Sequence, residues 1–160
     1  MPLRKTAIRI TAEIRAEIAD QLTPLLADLI DLHSQTKQAH WNVRGPAFIT
    51  QHELYDKLAD STFALIDPLA ERITTLGATA RGTVRDSAGG SRLKEFPTDG
   101  ANGVAYTEAL IERFAFVANH IRESIDIVAE CGDAVTADLL TGMLAELDKS
   151  LWFLEAHHDA

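Results

Sequence analysis

The chain has 160 residues, 46% of them apolar, which is enough to bury one substantial core and indicates a single domain. A net charge of −9 argues against a protein that relies on general basicity to hold nucleic acid, and an acidic surface suits cations as ligands. The single cysteine excludes an intrachain disulfide, and the absence of any run of about 18 apolar residues excludes a membrane-spanning helix.

The N-terminal part of the chain predicts a short tail followed by a long helix. Residues 1–10 are slightly basic and contain no apolar segment of the signal-peptide type, so we expect a cytoplasmic protein. From Thr11 to Ala39 the apolar residues recur every three or four positions, which predicts an amphipathic helix. Pro24 could begin a new helix or bend one long helix. Because the apolar stripe keeps its phase across Pro24, we predict one bent helix.

A second helix is predicted from Ala47 to Leu76, after a turn over Asn42–Pro46. Pro68 lies inside this helix and is expected to bend it. The residues expected to form its buried stripe are Phe48, Tyr55, Leu58, Leu65, Ile66, Leu69, Ile73 and Leu76.

The remaining elements complete an all-α pattern. Residues 77–102 are rich in glycine, and we expect a short helix or turn near Ser91–Phe96 because long unstructured loops are unusual in compact domains. Two more amphipathic helices are predicted over Val104–Val128 and Thr136–Ala156. Four long helices with one long link, between the second and third, predict a ferritin-like four-helix bundle with one crossover over residues 11–157.

The segment from Lys37 to Arg72 carries the residues with metal-binding chemistry. It contains two histidines and three carboxylates, namely His40, His52, Asp56, Asp67 and Glu71. His52 and Asp56 are four residues apart, as are Asp67 and Glu71, so each pair projects from one face of the second helix. A polar, solvated helix face is the alternative interpretation of this spacing.

The spacing also separates these residues into two half-sites. At about 1.5 Å per residue, the two pairs lie roughly 16 Å apart along the helix, whereas a metal–ligand bond is only about 2 Å long. The turn brings His40 beside His52, which leaves His40, His52 and Asp56 in one group and Asp67 with Glu71 in the other. Two antiparallel copies related by a two-fold axis would bring the two half-sites together, so we predict a metal site shared between subunits.

These residues, in their context, resemble those of the Dps proteins, the starvation-induced miniferritins. The resemblance covers nearly the whole chain from about residue 22 onwards. It is carried by Lys37–Pro46, Phe48, His52–Leu54, Asp56, Asp67, Ala70–Arg72, Leu76-Gly77, Gly82-Thr83, Thr136–Asp138 and Leu147–Phe153.

The resemblance implies a hollow shell of twelve subunits with ferroxidase centres at its two-fold interfaces. His40, His52 and Asp56 would come from one subunit, and Asp67 with Glu71 from its neighbour. It implies oxidation of Fe(II), with hydrogen peroxide as the favoured oxidant, and storage of the ferric mineral inside. Many members hold DNA through tails rich in lysine and arginine. The weakly basic tail here makes a nucleoid-compacting protein the second hypothesis, and a helical oligomer with an inactive site the third.

Four other residues could contribute to packing, to the site or to a pore. Trp41 is interpreted as a core or interface residue, or as a neighbour of the metal centre that absorbs stray oxidising equivalents. Trp152 is expected to serve packing. Asp133 and Asp138 lie at the corner before the last helix, where carboxylates often cap helix ends. The family resemblance instead places them at an acidic three-fold pore that attracts Fe(II).

Overall fold

The computed structural model describes residues 3–98 and 102–158, so the first two residues of the predicted tail and residues 99–101 of the crossover lie outside the described residues. Five helices are present within these ranges, and no strand. They are α1 (Ala12–Asn42), α2 (Phe48–Thr75), α3 (Val84–Gly90), α4 (Gly103–Glu130) and α5 (Ala134–His158). Over the described ranges, no helix combines the length and apolar character needed to cross a membrane.

The helices pack as two hairpins. Helix α1 runs along α2 and α4 runs along α5, while α1 also contacts α4 and closes the core between the hairpins. The long crossover connects α2 to α4 and carries α3, which lies on α1. This arrangement confirms the predicted all-α four-helix bundle with one crossover and a short extra helix. Helix α1 continues without a break through Pro24, as predicted.

The α1–α2 turn fixes how the first hairpin closes. Val43 is buried and its backbone N–H is bonded to the carbonyl of Ala39, which ends α1. Gly45 has a φ of +127°, a conformation that side-chain-bearing residues rarely adopt, and its carbonyl accepts from the N–H of Phe48 at the start of α2. The chain therefore reverses within a few residues, and the end of α1 lies beside the first turns of α2.

The short helix was predicted in the crossover but at the wrong place. It occupies Val84–Gly90 rather than Ser91–Phe96. The Thr83 hydroxyl accepts the backbone N–H of Asp86, and this cap starts the helix at Val84. The Thr83 hydroxyl also donates to the Asp86 carboxylate at 2.6 Å.

Residues 91–96 form no helix, and side chains of α1 and α4 bond to several of their backbone groups. Asp28, which is fully buried, accepts both the backbone N–H and the guanidinium of Arg92. Gln35 donates to the Lys94 carbonyl and Arg113 donates to the Glu95 carbonyl. These bonds replace those that a helix would make, and they hold the crossover against the bundle.

The predicted buried stripe of α2 is correct for most positions and wrong for Phe48, which is exposed. Tyr55, Leu69 and Ile73 are fully buried, whereas Leu65 and Ile66 are only partly so. Trp152, which is expected to serve packing, is 60% exposed. In the single chain, packing is therefore not the role of Trp152, and large apolar side chains remain on the surface.

A buried ion pair joins the end of α2 to the start of α5. The Arg72 guanidinium donates to both carboxylate oxygens of Asp133, at 2.7 and 2.9 Å, and its Nε donates to the Thr136 hydroxyl at 2.7 Å. Asp133 also caps α5 by accepting the Thr136 backbone N–H. Although burial raises the pKa of Asp133, hydrogen bonds donated by Thr136 and Arg72 outweigh burial and lower it.

Asp133→Asn should therefore destabilise the protein by about 3–5 kcal/mol at pH 7, because it leaves the buried Arg72 without its counter-charge. A lowered pKa in the folded state means that the ionised carboxylate adds stability above the unfolded pKa of about 3.9 and loses it below. The difference between native and variant should thus shrink as the pH falls below about 4. Guanidinium unfolding at fixed protein concentration measures both effects.

Arg122→Gln is the matched control, since it breaks an exposed pair with Asp148 and should cost at most about 1 kcal/mol. Equal losses in the two variants would contradict the structural importance assigned to the buried pair.

Candidate metal centre

Two imidazoles lock one another in place where α1 meets α2. The Nδ1 of His40 lies 2.8 Å from the carbonyl oxygen of His52, and the Nδ1 of His52 lies 2.9 Å from the carbonyl oxygen of His40. The rings stack with centroids 3.8 Å apart. Because a carbonyl oxygen can only accept, each Nδ1 carries a proton, and this tautomer of the ring presents its Nε2 lone pair to a metal. The sequence prediction that the turn brings His40 beside His52 is confirmed.

Asp56 completes this group one helical turn after His52. Its Oδ1 lies 3.7 Å from the Nε2 of His40, so an imidazole nitrogen and a carboxylate oxygen face a common space. The same Oδ1 accepts a hydrogen bond from the Lys37 ammonium at 2.6 Å. That hydrogen bond is the main reason why the pKa of Asp56 is lowered, so the carboxylate is ionised at neutral pH.

The second pair of carboxylates is on the outside of the protomer. Asp67 and Glu71 are both exposed on the C-terminal half of α2, and neither takes part in an ion pair within residues 3–98 and 102–158. Pro68 lies between them inside an uninterrupted helix. Their exposure leaves both carboxylates available to a metal or to another molecule.

The described residues of a single protomer do not form a complete metal site. Over the described part of the chain, no three histidine, cysteine, aspartate or glutamate side chains are grouped so that they could hold a metal ion. The two imidazoles and Asp56 supply ligands from one side only, and a lysine already occupies the carboxylate. This geometry fits the prediction of half-sites.

Exposed apolar side chains lie on the same two helices as the first half-site. Trp41 directly follows His40 and is 69% exposed, while Ile49 is 61% exposed on the first turn of α2. Phe48 packs its ring against His52 at 5.2 Å, and Phe63 is 63% exposed further along α2. The expectation that Trp41 belongs to the core of the chain is wrong, and its interface and metal-neighbour interpretations both stay open.

The two carboxylates at the α4–α5 corner differ. Asp133 is buried and bonded to Arg72 and Thr136, so the capping interpretation is correct for it and it does not face solvent in the protomer. Asp138 is exposed on α5 and stays the pore candidate.

Sequence spacing missed two cations next to the proposed ligands. Lys37 precedes His40 by three residues, one helical turn, and that spacing was the available signal for its place on the same face of α1. Arg72 directly follows Glu71, but its bond to Asp133 joins residues 61 apart and has no local signature.

Known proteins share both the sequence and the architecture of this chain. The family of ferritin-like domains matches residues 19–160, which defines the chain as a ferritin-like protein. The "DNA protection during starvation protein" of Agrobacterium fabrum is 43% identical over 157 residues, covering 98% of this chain and 97% of that protein.

Two solved structures extend the match. Mycobacterium smegmatis Dps superposes with a TM-score of 0.92 at 31% identity, covering 98% of this chain and 94% of that one. Dps from Vibrio cholerae O1, described as a member of the ferritin-like diiron-carboxylate superfamily, gives a TM-score of 0.88 at 26% identity and covers 98% of each chain. The chain belongs to the Dps family of miniferritins.

Proposed function

We propose that this protein oxidises Fe(II), with hydrogen peroxide as the favoured oxidant, at centres that two subunits share, and that it stores the ferric product inside a hollow shell. The observation that carries the proposal is the pair of imidazoles whose Nδ1 atoms are bound to backbone carbonyls, beside an ionised Asp56. Imidazole and carboxylate ligands together suit iron, manganese and zinc. The diiron-carboxylate description of the Vibrio cholerae relative favours iron among these.

The ligand charges explain how the protein would promote the reaction. Each peroxide takes one electron from each of two Fe(II) ions and, with two protons, becomes two waters. Asp56 from one subunit, with Asp67 and Glu71 from the other, would place three negative charges around the ions. These charges stabilise Fe(III) more than Fe(II), which favours oxidation. Iron is the substrate here, and the ferric product then moves on to the mineral.

A second copy of the chain is the partner that fits the half-sites. Asp67 and Glu71 are exposed, and the apolar side chains of Trp41, Ile49 and Phe63 lie on the surface of the same hairpin. Large exposed apolar side chains beside polar groups are typical of protein interfaces. We infer a two-fold pair in which these side chains are covered, with twelve subunits in the complete shell and a cytoplasmic location.

Binding of DNA is the second candidate, and the charge distribution ranks it lower. The N-terminal tail has only Arg4, Lys5 and Arg9 as cations. The backbone N–H of Arg4 is bonded to the Gly77 carbonyl at 2.7 Å, and its guanidinium donates to the Thr74 carbonyl. Because the tail is bound to the bundle and the net charge is −9, little free positive charge remains for phosphates. Retention of plasmid DNA in a gel shift at low salt would reverse this ranking.

Removal of a ligand should stop iron oxidation without dissolving the shell. His52→Ala should slow Fe(II) oxidation by peroxide at least about tenfold. Mutating a residue that is only hydrogen-bonded to a metal ligand already lowers metal affinity or activity by about 10- to 100-fold. Ferric absorbance measures the rate and size exclusion measures assembly. His120→Ala is the control, because His120 is bonded to the Phe116 carbonyl within α4, away from the site. Disassembly of the His52 variant would indicate a structural residue instead of a ligand.

Subunit mixing should test the sharing of the centre. His52→Ala damages one half-site, and Asp67→Asn with Glu71→Gln damages the other. If the centre is shared, random pairing of the two variants gives hybrid pairs with one intact centre and one doubly damaged centre. About a quarter of native oxidation activity should then return after joint dissociation and reassembly. Recovery of no activity from reassembled hybrids would place all five ligands within one chain.

A charge placed in the apolar surface should weaken pairing. Ile49→Asp should shift the protein towards smaller species in sedimentation velocity, because pairing would bury an unpaired carboxylate. Thr50→Asp is the matched control. It adds the same charge one residue along α2, but Thr50 lines the groove between α2 and α5. Equal behaviour of the two variants would contradict the proposed interface.

A further inference from the structure

Lys37 forms the one ion pair in which a proposed iron ligand meets a side-chain ammonium within the described residues. Its Nζ lies 2.6 Å from Oδ1 of Asp56, and the same oxygen lies 3.7 Å from Nε2 of His40. The ammonium and the His40 imidazole thus converge on one oxygen atom. A metal bound by His40 and Asp56 would need the space and the lone pair that Lys37 uses.

We propose that Lys37 is a positioning residue that holds Asp56 as a counter-ion in the metal-free protein and is displaced when a divalent metal binds. This inference rests on the proposed function and deepens it, since it describes how the same site is kept before iron arrives. The exchange transfers no electrons: one ammonium leaves the carboxylate and moves to solvent, and one divalent ion takes its place.

The charges of the assembled centre would favour an ion pair between Lys37 and Asp56 in the metal-free protein. Asp56 would face Asp67 and Glu71 of the second copy, and three carboxylates without a cation repel one another. A lysine on Asp56 neutralises one of the three charges until metal binds. The metal-free pair of subunits is therefore less strained with Lys37 than with a neutral residue at that position.

The geometry also makes the ammonium easy to displace. The Lys37 and Asp56 side chains are 26% and 45% exposed, and a single lysine hydrogen bond joins them. Pairs of this kind contribute little in water, and lysine has a flexible stem that can swing away. The contrast within the same protein is Arg72, whose two hydrogen bonds hold a carboxylate that is 1% exposed. A rigid guanidinium suits a permanent joint, and a lysine suits a replaceable contact.

The test measures binding of Zn(II), which is redox-inert, to the assembled metal-free protein by titration calorimetry in physiological salt. Lys37→Gln should tighten Zn(II) binding roughly two- to fivefold, the scale set by a partly exposed ion pair. The same variant should lower the midpoint of unfolding of the metal-free protein. Lys37→Arg keeps the charge, so the midpoint of unfolding should stay close to native, but its guanidinium is harder to displace and Zn(II) binding should not tighten.

Lys57→Gln is the matched control, because Lys57 follows Asp56 in sequence but is exposed along the groove between α2 and α5. It removes the same charge from the position next to Asp56 and should leave Zn(II) affinity unchanged. Unchanged or weaker Zn(II) binding by Lys37→Gln would overturn the inference, as would equal tightening in both glutamine variants. Failure of the proposed site is seen separately, as native Zn(II) binding that His52→Ala does not diminish.

Discussion

Two hydrogen bonds between side chain and backbone organise the candidate site. The Nδ1 of each imidazole, His40 on α1 and His52 on α2, is bonded to the carbonyl of the other residue. The bonds join two helices, set the tautomer of both rings and leave both Nε2 atoms for a ligand. They exist because the α1–α2 turn reverses the chain at Gly45, whose positive φ few other residues tolerate. The turn that closes the α1–α2 hairpin therefore also sets the positions of the two histidines.

Incompleteness is the second constraint on the site. Helix α2 carries two pairs of candidate ligands on turns too far apart for a single ion to bind both. The second pair, Asp67 and Glu71, is exposed. On the proposed function, a subunit outside an assembly would bind iron poorly, so oxidation would take place where the product can be enclosed. On the further inference, the Lys37 ammonium balances the charge of the Asp56 carboxylate until a metal binds there.

Local patterns in the sequence predicted a large part of this structure. Apolar spacing places the four long helices, and the four-residue spacings within α2 place the carboxylates, since both depend only on helical periodicity. The turn at Gly45-Pro46 was enough to bring His40 beside His52. The candidate ligands therefore follow from residues close together in sequence.

The errors share a different cause, which is bonding between residues far apart in sequence. The short helix was placed at 91–96 because nothing in the local sequence shows that Asp28 binds Arg92 there. Asp133 was a candidate for a pore because its partner, Arg72, lies on another helix. Phe48 was assigned to the buried stripe because an apolar stripe does not distinguish a face that packs within the chain from one that is left exposed.

The central claim, that two subunits complete one centre, is tested most directly by a crystal structure of the assembled protein soaked with Zn(II). We expect a metal ion at each two-fold interface, about 2 Å from Nε2 of His40 or His52 and from a carboxylate of Asp67 or Glu71 of the second copy. A metal held by one chain alone, with Asp67 and Glu71 of every subunit turned to solvent, would contradict it.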